Sequence, residues 1–586
     1  MLSFASGSAI KRNTVGVGAC RWFSLPELLR RPAFTLMVNS WSNEKRNRNL
    51  LAAGKVRGAA LHLRDPGTLP GGGPPHRFPP AVVLGDDFGL VKHLHGLPFQ
   101  RLLSYFGSDW TEGIYGMRLD ELRPVLAFSY VLDAHVWGAT NSAGYHLTNV
   151  FLHALNALLV FEIARSVAPA NRWIGLIAGT LFAIMPCHAE PISWISGRVD
   201  SLAALFYLGA FLCFVRFRSR HLYGFYAGAL ILFFIGLFAK QSVVTLPVLM
   251  LAYDLVSGRI SRFTPHLPFF GVLVFYLALR RALFGNALRE DSLYPGMLTD
   301  FAHKQVFYVR HLLPLSTAES RSVKVAVGLV LLPILVLLIR WLFSHRSRYA
   351  HVLGLLLFFG PVWYAITVSP MIVTYTSARH LYITAAGLCV AAALLLSPEA
   401  SEGLARRSAV FGCLVLLYGA AITRSIRPWI DNGLYMARIS SQLPAAMRSI
   451  PPGSTVFMAL PAMRHKRYFL DFALPFALQT PFLGEDLYGK FSMVELHEAY
   501  CCPPTQWWAR LRPVLLSLTD TRPIYVVTAG AGTEALVVVQ RTISATALKE
   551  RIKKVLSRPL DSPFEISRND ADRVSQVLFP GLDVPP

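Results

Sequence analysis

The sequence predicts a polytopic α-helical membrane protein: a bundle of about ten or eleven spans followed by a small C-terminal α/β soluble domain. Three observations predict it. Between Gly144 and Arg427 the apolar residues come in blocks long enough to cross a bilayer core as helices. The short loops between those blocks alternate between Arg-rich and Arg-poor. Beyond residue 427 the composition turns to that of a soluble domain. A hydrophobic content of 53% against 16% charged residues fits this class better than an ordinary soluble domain.

The blocks read as spans at 144–164, 173–190, 199–215, 222–239, 243–257, 266–284, 323–343, 350–369, 380–397 and 408–424. Segment 305–318 carries Arg310 and His311 at its middle and is short, which fits an interfacial helix rather than a span. Much of the net charge of +23 lies in the loops holding Arg165 and Arg172, Arg216 with Arg218 and Arg220, Arg259 and Arg262, Arg340 with Arg346 and Arg348, and Arg406 with Arg407. These loops fall on one side, which the positive-inside rule makes cytoplasmic. The surplus is therefore topological, and nucleic acid is not an expected partner. The tail beyond 427 then lies outside the cytoplasm.

Four regions follow. Residues 1–85 are basic, with eleven Lys and Arg against two acids in the first 64, and hold the Gly/Pro-rich run GTLPGGGPPHRFPP. No stretch there is long enough to span, yet the parity of the loops requires one before Asp86. The region therefore reads as disordered, or as a start where the first span is missing or scrambled. Residues 86–143 form a first outer loop with an acidic motif, and 144–427 the helical membrane domain. Residues 428–586 form the extracytoplasmic α/β domain, with strand-like TVFMALP, PIYVVTA and EALVVVQ and a helix from Ala545 capped by Ser544.

Chemistry-bearing residues gather in the Arg-poor loops. GDDFGLV, from Gly85, offers the adjacent carboxylates Asp86 and Asp87, which can divide the work of accepting a proton and orienting an acceptor; a solvated turn is the plainer reading of such a pair. PCHAEPISWISGRVDSLAALF, from Pro186, packs His188, Glu190, Arg198 and Asp200 into one turn between apolar spans, where an Arg suits a phosphate. An Arg198–Asp200 pair is the plainer reading here. Lys240 stands at a tight bend, and Arg379 with His380 at the mouth of a late span. In GYHLTNVFLHALNALL the residues His146, Asn149, His153 and Asn156 fall within about 80° of one helix face. In lipid such a stripe faces protein or a cavity, either fastening helices together or touching a ligand. Seven scattered cysteines form no disulfide framework or zinc spacing, so no metal site is implied; adjacent Cys501 and Cys502 are the one pair to note.

These segments, together with RPVLAFSYVLDAHVWG, AKQSVVTLPVLMLAYDL and ARHLYITAAGLC, cover residues 85–430. In this order they resemble the transmembrane and tetratricopeptide-repeat O-mannosyltransferases and their bacterial relatives, which have the GT-C fold. The resemblance implies an inverting glycosyltransferase that takes a sugar, mannose or another hexose, from a polyprenyl-phosphate carrier. The acceptor is a hydroxyl on the extracytoplasmic face of the membrane, a bacterial inner membrane in this case, borne by an unspecified protein or glycan. It implies no cofactor beyond that donor. An acid of the first outer loop, here Asp86 or Asp87, acts as base, and cations near the surface, with Arg198, Lys240 and Arg379 as candidates, hold the carrier phosphate. The repeats that name the family are absent, its first span is not recognisable, and Ala378 stands where Glu often precedes the Arg. A transporter or flippase would share the many spans but should show duplicated halves, which the sequence lacks; an inactive scaffold of the same fold is the other alternative.

Overall fold

The computed structural model describes residues 83–579, apart from 112–113, 115–118, 172, 259–262, 288–295, 315–349, 397–403, 462, 465–466, 469–472, 497–503, 530–534 and 562–563. The region 1–85 expected to be disordered or misread, the span at 323–343 and the Cys501–Cys502 pair therefore lie wholly or almost wholly outside the described residues.

Among the described residues six helices are long and apolar enough to cross a membrane: Ser142–Val167, Arg198–Arg220, Thr264–Phe284, His351–Val373, Ala378–Leu396 and Arg407–Arg448. A bent pair, Ile174–Ala183 with Pro186–Ser193, makes a seventh, broken by 50°. Pro186 explains the break, because proline opens a helix readily but cannot continue one. The blocks expected at 222–239 and 243–257 appear as the shorter helices Tyr223–Leu237 and Gln241–Val256. Fifteen residues of helix reach about 22 Å, less than the hydrocarbon thickness, so the apolar run alone overstated that span. Pro361 leaves its mark as a π-helical turn at Phe358–Val362. The segment 305–318, expected to be an interfacial helix, begins within the helix Met297–Leu312, which buries Tyr308 and Leu312, and its last residues, 315–318, lie outside the described residues.

Arg198–Arg220 is the central helix. It is buried over 83% of its apolar window, against 17% for Thr264–Phe284, which leaves Val274 and Phe275 facing outward. Its face carries Ala203, Ala204, Tyr207, Phe211 and Phe214 into the main apolar core with Phe358 and Trp363. Whatever sits at its first turn is therefore held by the whole bundle. The region 86–143 packs against that turn: Leu90, Val91, Leu94, Tyr105, Leu126 and Tyr130 share a core with Ile195, Val199 and Leu202.

The last helix, Leu404–Arg448, runs unbroken for 45 residues, about 68 Å, through Pro428 and Pro444. The compositional change at 428 falls inside it. Beyond it, besides a short antiparallel pair at Met463–Arg464 and Arg467–Tyr468, lies a four-stranded sheet: β1 (Thr455–Ala459), β2 (Ser492–Glu495), β3 (Ile524–Ala529) and β4 (Leu536–Arg541). Their order is β2-β1-β3-β4, with β1 parallel to both neighbours and β4 antiparallel to β3. Three of the four coincide with the strand-like runs in the sequence; β2 is a four-residue segment too short to show a pattern. The Ser544 side chain accepts from the Ala547 N–H, as a helix cap should.

Alternation along β1 gives the sheet two apolar faces. Phe457 and Ala459 join Trp507, Leu511, Leu548 and Ile552 on one side. Val456 and Met458 face Leu443, Met447, Leu474 and Leu478 on the other, and that core continues to Leu84, Phe88 and Ala189 of the outer loops.

Candidate active site

The segment Glu190–Asp200 organises the site. Gly197 precedes the central helix, and a Cβ there would stand 2.8 Å from the Glu190 carbonyl oxygen. Only glycine lets the helix start so close to the turn Ala189–Ser193, and this folds Glu190, Trp194, Ser196, Arg198 and Asp200 into one neighbourhood.

Its polar groups reach two sets of partners. On one side are cations. Asp200 pairs through Oδ1 with the Lys240 ammonium, and its Oδ2 stands 3.6 Å from Arg379 Nε. Glu190 Oε1 lies 3.5 Å from the same Nε, and its Oε2 accepts from Ser377 Oγ at 2.9 Å. The Arg379 guanidinium also donates to the Tyr375 hydroxyl and lies over the Trp194 ring, 5.0 Å from its centre. A small cavity lined by Asp200, Lys240, Ser242, Thr245, Thr367 and His380 adjoins this cluster. Around it Asp200 Oδ2, Arg379 Nε and His380 Nδ1 are buried without a hydrogen-bond partner. Such atoms are costly unless something completes them.

On the other side are the acids. Ser196 donates its N–H to Asp87 Oδ1 at 2.9 Å and its hydroxyl to Asp86 Oδ1 at 2.9 Å. Asp87 Oδ2 accepts the Leu84 N–H at 3.0 Å, so both oxygens of this fully buried carboxyl are engaged by backbone. Burial, and then the adjacent Asp86 charge, hold the Asp87 pKa well above the ordinary carboxylate value, although the two N–H donors oppose the shift. Asp86 is partly exposed. The pair therefore divides: Asp87 fixes the loop and Asp86 faces the accessible side.

The structure thus brings together Asp86, Asp87, Glu190, Asp200, Lys240, Arg379 and His380. Arg198 is placed differently. Its guanidinium is wholly buried, pairing with Asp133 and donating to Asn149 Oδ1 at 2.7 Å and to the carbonyls of Ser129 and Tyr145 at 3.2 and 3.0 Å. Tyr130 covers one face, 4.7 Å away. Wholly buried and with four of its N–H groups engaged, it does not join the Lys240–Arg379 cluster or pair with Asp200, and instead ties the helix Pro124–Trp137 to Ser142–Val167 and the central helix. His188 is also interior, with Nδ1 on the Phe182 carbonyl and its ring against Tyr382.

The polar stripe of Ser142–Val167 resolves into fastenings. Asn149 donates to the Trp194 carbonyl at 2.9 Å, and Asn156 to the Ser201 carbonyl at 2.8 Å and the Tyr382 hydroxyl at 3.3 Å. His153 Nε2 meets the Ala183 carbonyl at 3.1 Å and must donate, so Nδ1 accepts from the Tyr382 hydroxyl at 2.6 Å. His146 is half-buried one turn earlier.

Several residues here escape a reading of the sequence. Asp133 is hidden in an apparently amphipathic helix, and its role needs the fold. Ser196, Trp194, Tyr375 and Ser377 stand within a few residues of the charged positions, and a serine or aromatic beside a charge in a short loop is the only signal they give. Arg123 grips Gln241, beside Lys240, at 3.0 and 3.2 Å and pairs with Glu121 at 2.8 Å. Among the described residues no group of three or more His, Cys, Asp or Glu could hold a metal ion.

No family model matches the chain. Its sequence is similar to protein O-mannosyl-transferases: 33% identical over 135 residues to Tmtc1 of Drosophila melanogaster, covering 23% of this chain and 16% of that protein. It is 31% identical over 172 residues to Tmtc2 of the same fly, covering 28% and 18%, and 27% over 182 residues to human TMTC4, covering 26% and 24%. The chain thus spans about a sixth of the length of the two fly relatives. Among solved structures, ArnT from Cupriavidus metallidurans in the apo state aligns with a TM-score of 0.44 at 11% identity, over 79% of this chain and 94% of that one. The same protein bound to undecaprenyl phosphate aligns at 0.41 and 13%, over 79% and 95%.

Proposed function

We propose that this chain, a multi-pass membrane protein resembling the O-mannosyltransferases, transfers a sugar from a polyprenyl-phosphate carrier to an acceptor hydroxyl at the membrane surface. The observation that carries the proposal is the Glu190–Asp200 turn, which bonds at once to an acidic pair and to a loosely paired cation cluster beside a small cavity.

The roles follow from exposure and bonding. Asp86 accepts the proton of the acceptor hydroxyl, oriented by Ser196, while Asp87 holds the loop. The acceptor oxygen then forms its bond to the anomeric carbon as the bond from that carbon to the phosphate oxygen breaks, and the phosphate departs with the electron pair. Lys240 and Arg379, with His380 at the cavity wall, meet the charge growing on that phosphate. Asp200 and Glu190 occupy the two cations until the lipid phosphate takes their place. One displacement inverts the anomeric centre. Under the positive-inside orientation the site lies on the extracytoplasmic face of an inner membrane, and the sheet domain on the same side.

The test is to incubate the purified protein with labelled polyprenyl-phosphate mannose and a mixed protein and glycan acceptor pool, beside Asp86→Asn. Label in the acceptor with wild type and none with the variant supports the reading. Label that crosses a vesicle membrane without changing its covalent partner would instead identify a flippase.

A further inference from the structure

The core on the inner face of the sheet reaches the site at two separate places, one through the domain itself and one through the long helix that leads into it. At the first, the stretch Leu474–Phe482 lies against the helix that begins at Asp87. Phe482 meets Phe88 edge-on with ring centres 5.1 Å apart, and the Lys92 ammonium lies 5.3 Å from the centre of Phe476. A Cβ on Gly89 would stand 3.2 Å from Phe476 and 3.2 Å from Ile114, so the second glycine of GDDFGLV makes room for a ring of the distant domain. At the second, Trp429 of the long helix stacks on Trp194 with centres 5.9 Å apart and planes 20° apart, and Trp194 carries Arg379 on its ring. One contact is thus next to the acidic pair and the other next to the cation cluster.

We infer that the C-terminal domain belongs to the transfer machinery. Phe476, Phe482 and Trp429 are positioning residues that fix the separation between the Asp86 carboxylate and the Arg379–Lys240 cations. The inference rests on the function proposed above and extends it. A base and a phosphate-binding cation brought in by different loops are productive only at one separation, and a misplacement of about 1 Å can lower the rate about a hundredfold. Bonding through Ser196 and Asp200 sets the order of the groups, and the aromatic contacts set their distance from behind.

The test uses the full-length protein in lipid nanodiscs, with Phe476→Ala/Phe482→Ala, Trp429→Ala, and the conservative Phe476→Leu/Phe482→Leu and Trp429→Phe. The expected result is a kcat about a hundredfold lower for the alanine variants, a donor KM within about twofold of wild type, and most of the rate restored by the conservative variants. Spin labels at exposed His95 and Thr376 supply a readout independent of activity: the distance distribution, narrow in wild type, should broaden in the alanine variants and narrow again in the conservative ones. An unchanged kcat, or an unchanged distance distribution, in alanine variants whose melting temperature matches wild type would overturn the inference. Were an alanine variant to unfold, the conservative pair decides alone, a KM rise in place of a kcat loss counting against the inference. Wild type inactive with every polyprenyl-phosphate sugar would defeat the proposed function, and the distance measurement would still decide whether the domain sets the spacing.

Discussion

Two polar clusters built from similar residue types meet at the central helix, and they behave differently. The stripe Asn149, His153 and Asn156 bonds to fixed neighbours, the carbonyls of Trp194, Ala183 and Ser201 and the Tyr382 hydroxyl, with the Asn156 amide oxygen left over. The cluster around Asp200 holds Asp200 Oδ2 and Arg379 Nε as a loose ion pair at 3.6 Å and leaves His380 Nδ1 without a hydrogen-bond partner beside a cavity. Charge separates the two: the stripe is made of amides and imidazole that bond across helices, whereas the Asp200 cluster gathers carboxylates and cations beside a cavity. Arg198 and Arg379 contrast within one residue type: the first has four oxygen partners in a sealed pocket, the second leans on carboxylates at 3.5 and 3.6 Å.

The contrast can be broken most severely at the acids. Asp86→Asn should lower transfer by about 10²- to 10⁴-fold without changing donor affinity, measured by initial rates and donor KM; a variant retaining the wild-type rate removes Asp86 from the chemistry. At the sealed arginine the damage should be structural instead. Asp133→Ala leaves the Arg198 charge buried and unpaired and should cost about 3–5 kcal/mol, read as a lower melting temperature. Lys240→Met should lower transfer by about 10²- to 10³-fold per folded molecule, and because it takes the ammonium from the buried Asp200 carboxylate it should lower the melting temperature as well. Among the fastenings, Tyr382→Phe strands His153 Nδ1 and should cost about 1–3 kcal/mol with little effect on the rate per folded molecule.

The smallest expected effect concerns pH. Asp87 holds its proton more tightly than an ordinary carboxyl because it is buried beside Asp86. As pH falls the pair therefore takes up a proton early, and the acid limb of the rate profile should lie above the usual carboxylate range of about 4. As pH rises through the displaced value, the buried charge appears and its cost lowers folding stability. A limb near 4 would show that the pair ionises as if solvated.

Much of this contrast was legible in the residues and some was not. Apolar block length revealed most of the bundle, because the bilayer sets one minimum span for every helix, but it could not show that Pro186 bends a span or that Tyr223–Leu237 stops short. The charged residues of the turn at 188–200 announced themselves, since charge between apolar blocks is expensive. Which of them gather into the cation and acid clusters depended on partners from residues 84, 133, 240 and 379, and no spacing rule encodes those distances. Arg198 shows this most clearly: as a sequence feature it outranks Arg379, and only the position of Asp133 reverses the order.

The most direct measurement of the central claim is the affinity of the purified protein for polyprenyl phosphate alone, compared across wild type, Arg379→Gln and Tyr382→Phe. If the incomplete cluster is where the carrier phosphate lies, Arg379→Gln should weaken binding by about tenfold or more and Tyr382→Phe should leave it unchanged. Equal affinity in wild type and Arg379→Gln would contradict the account.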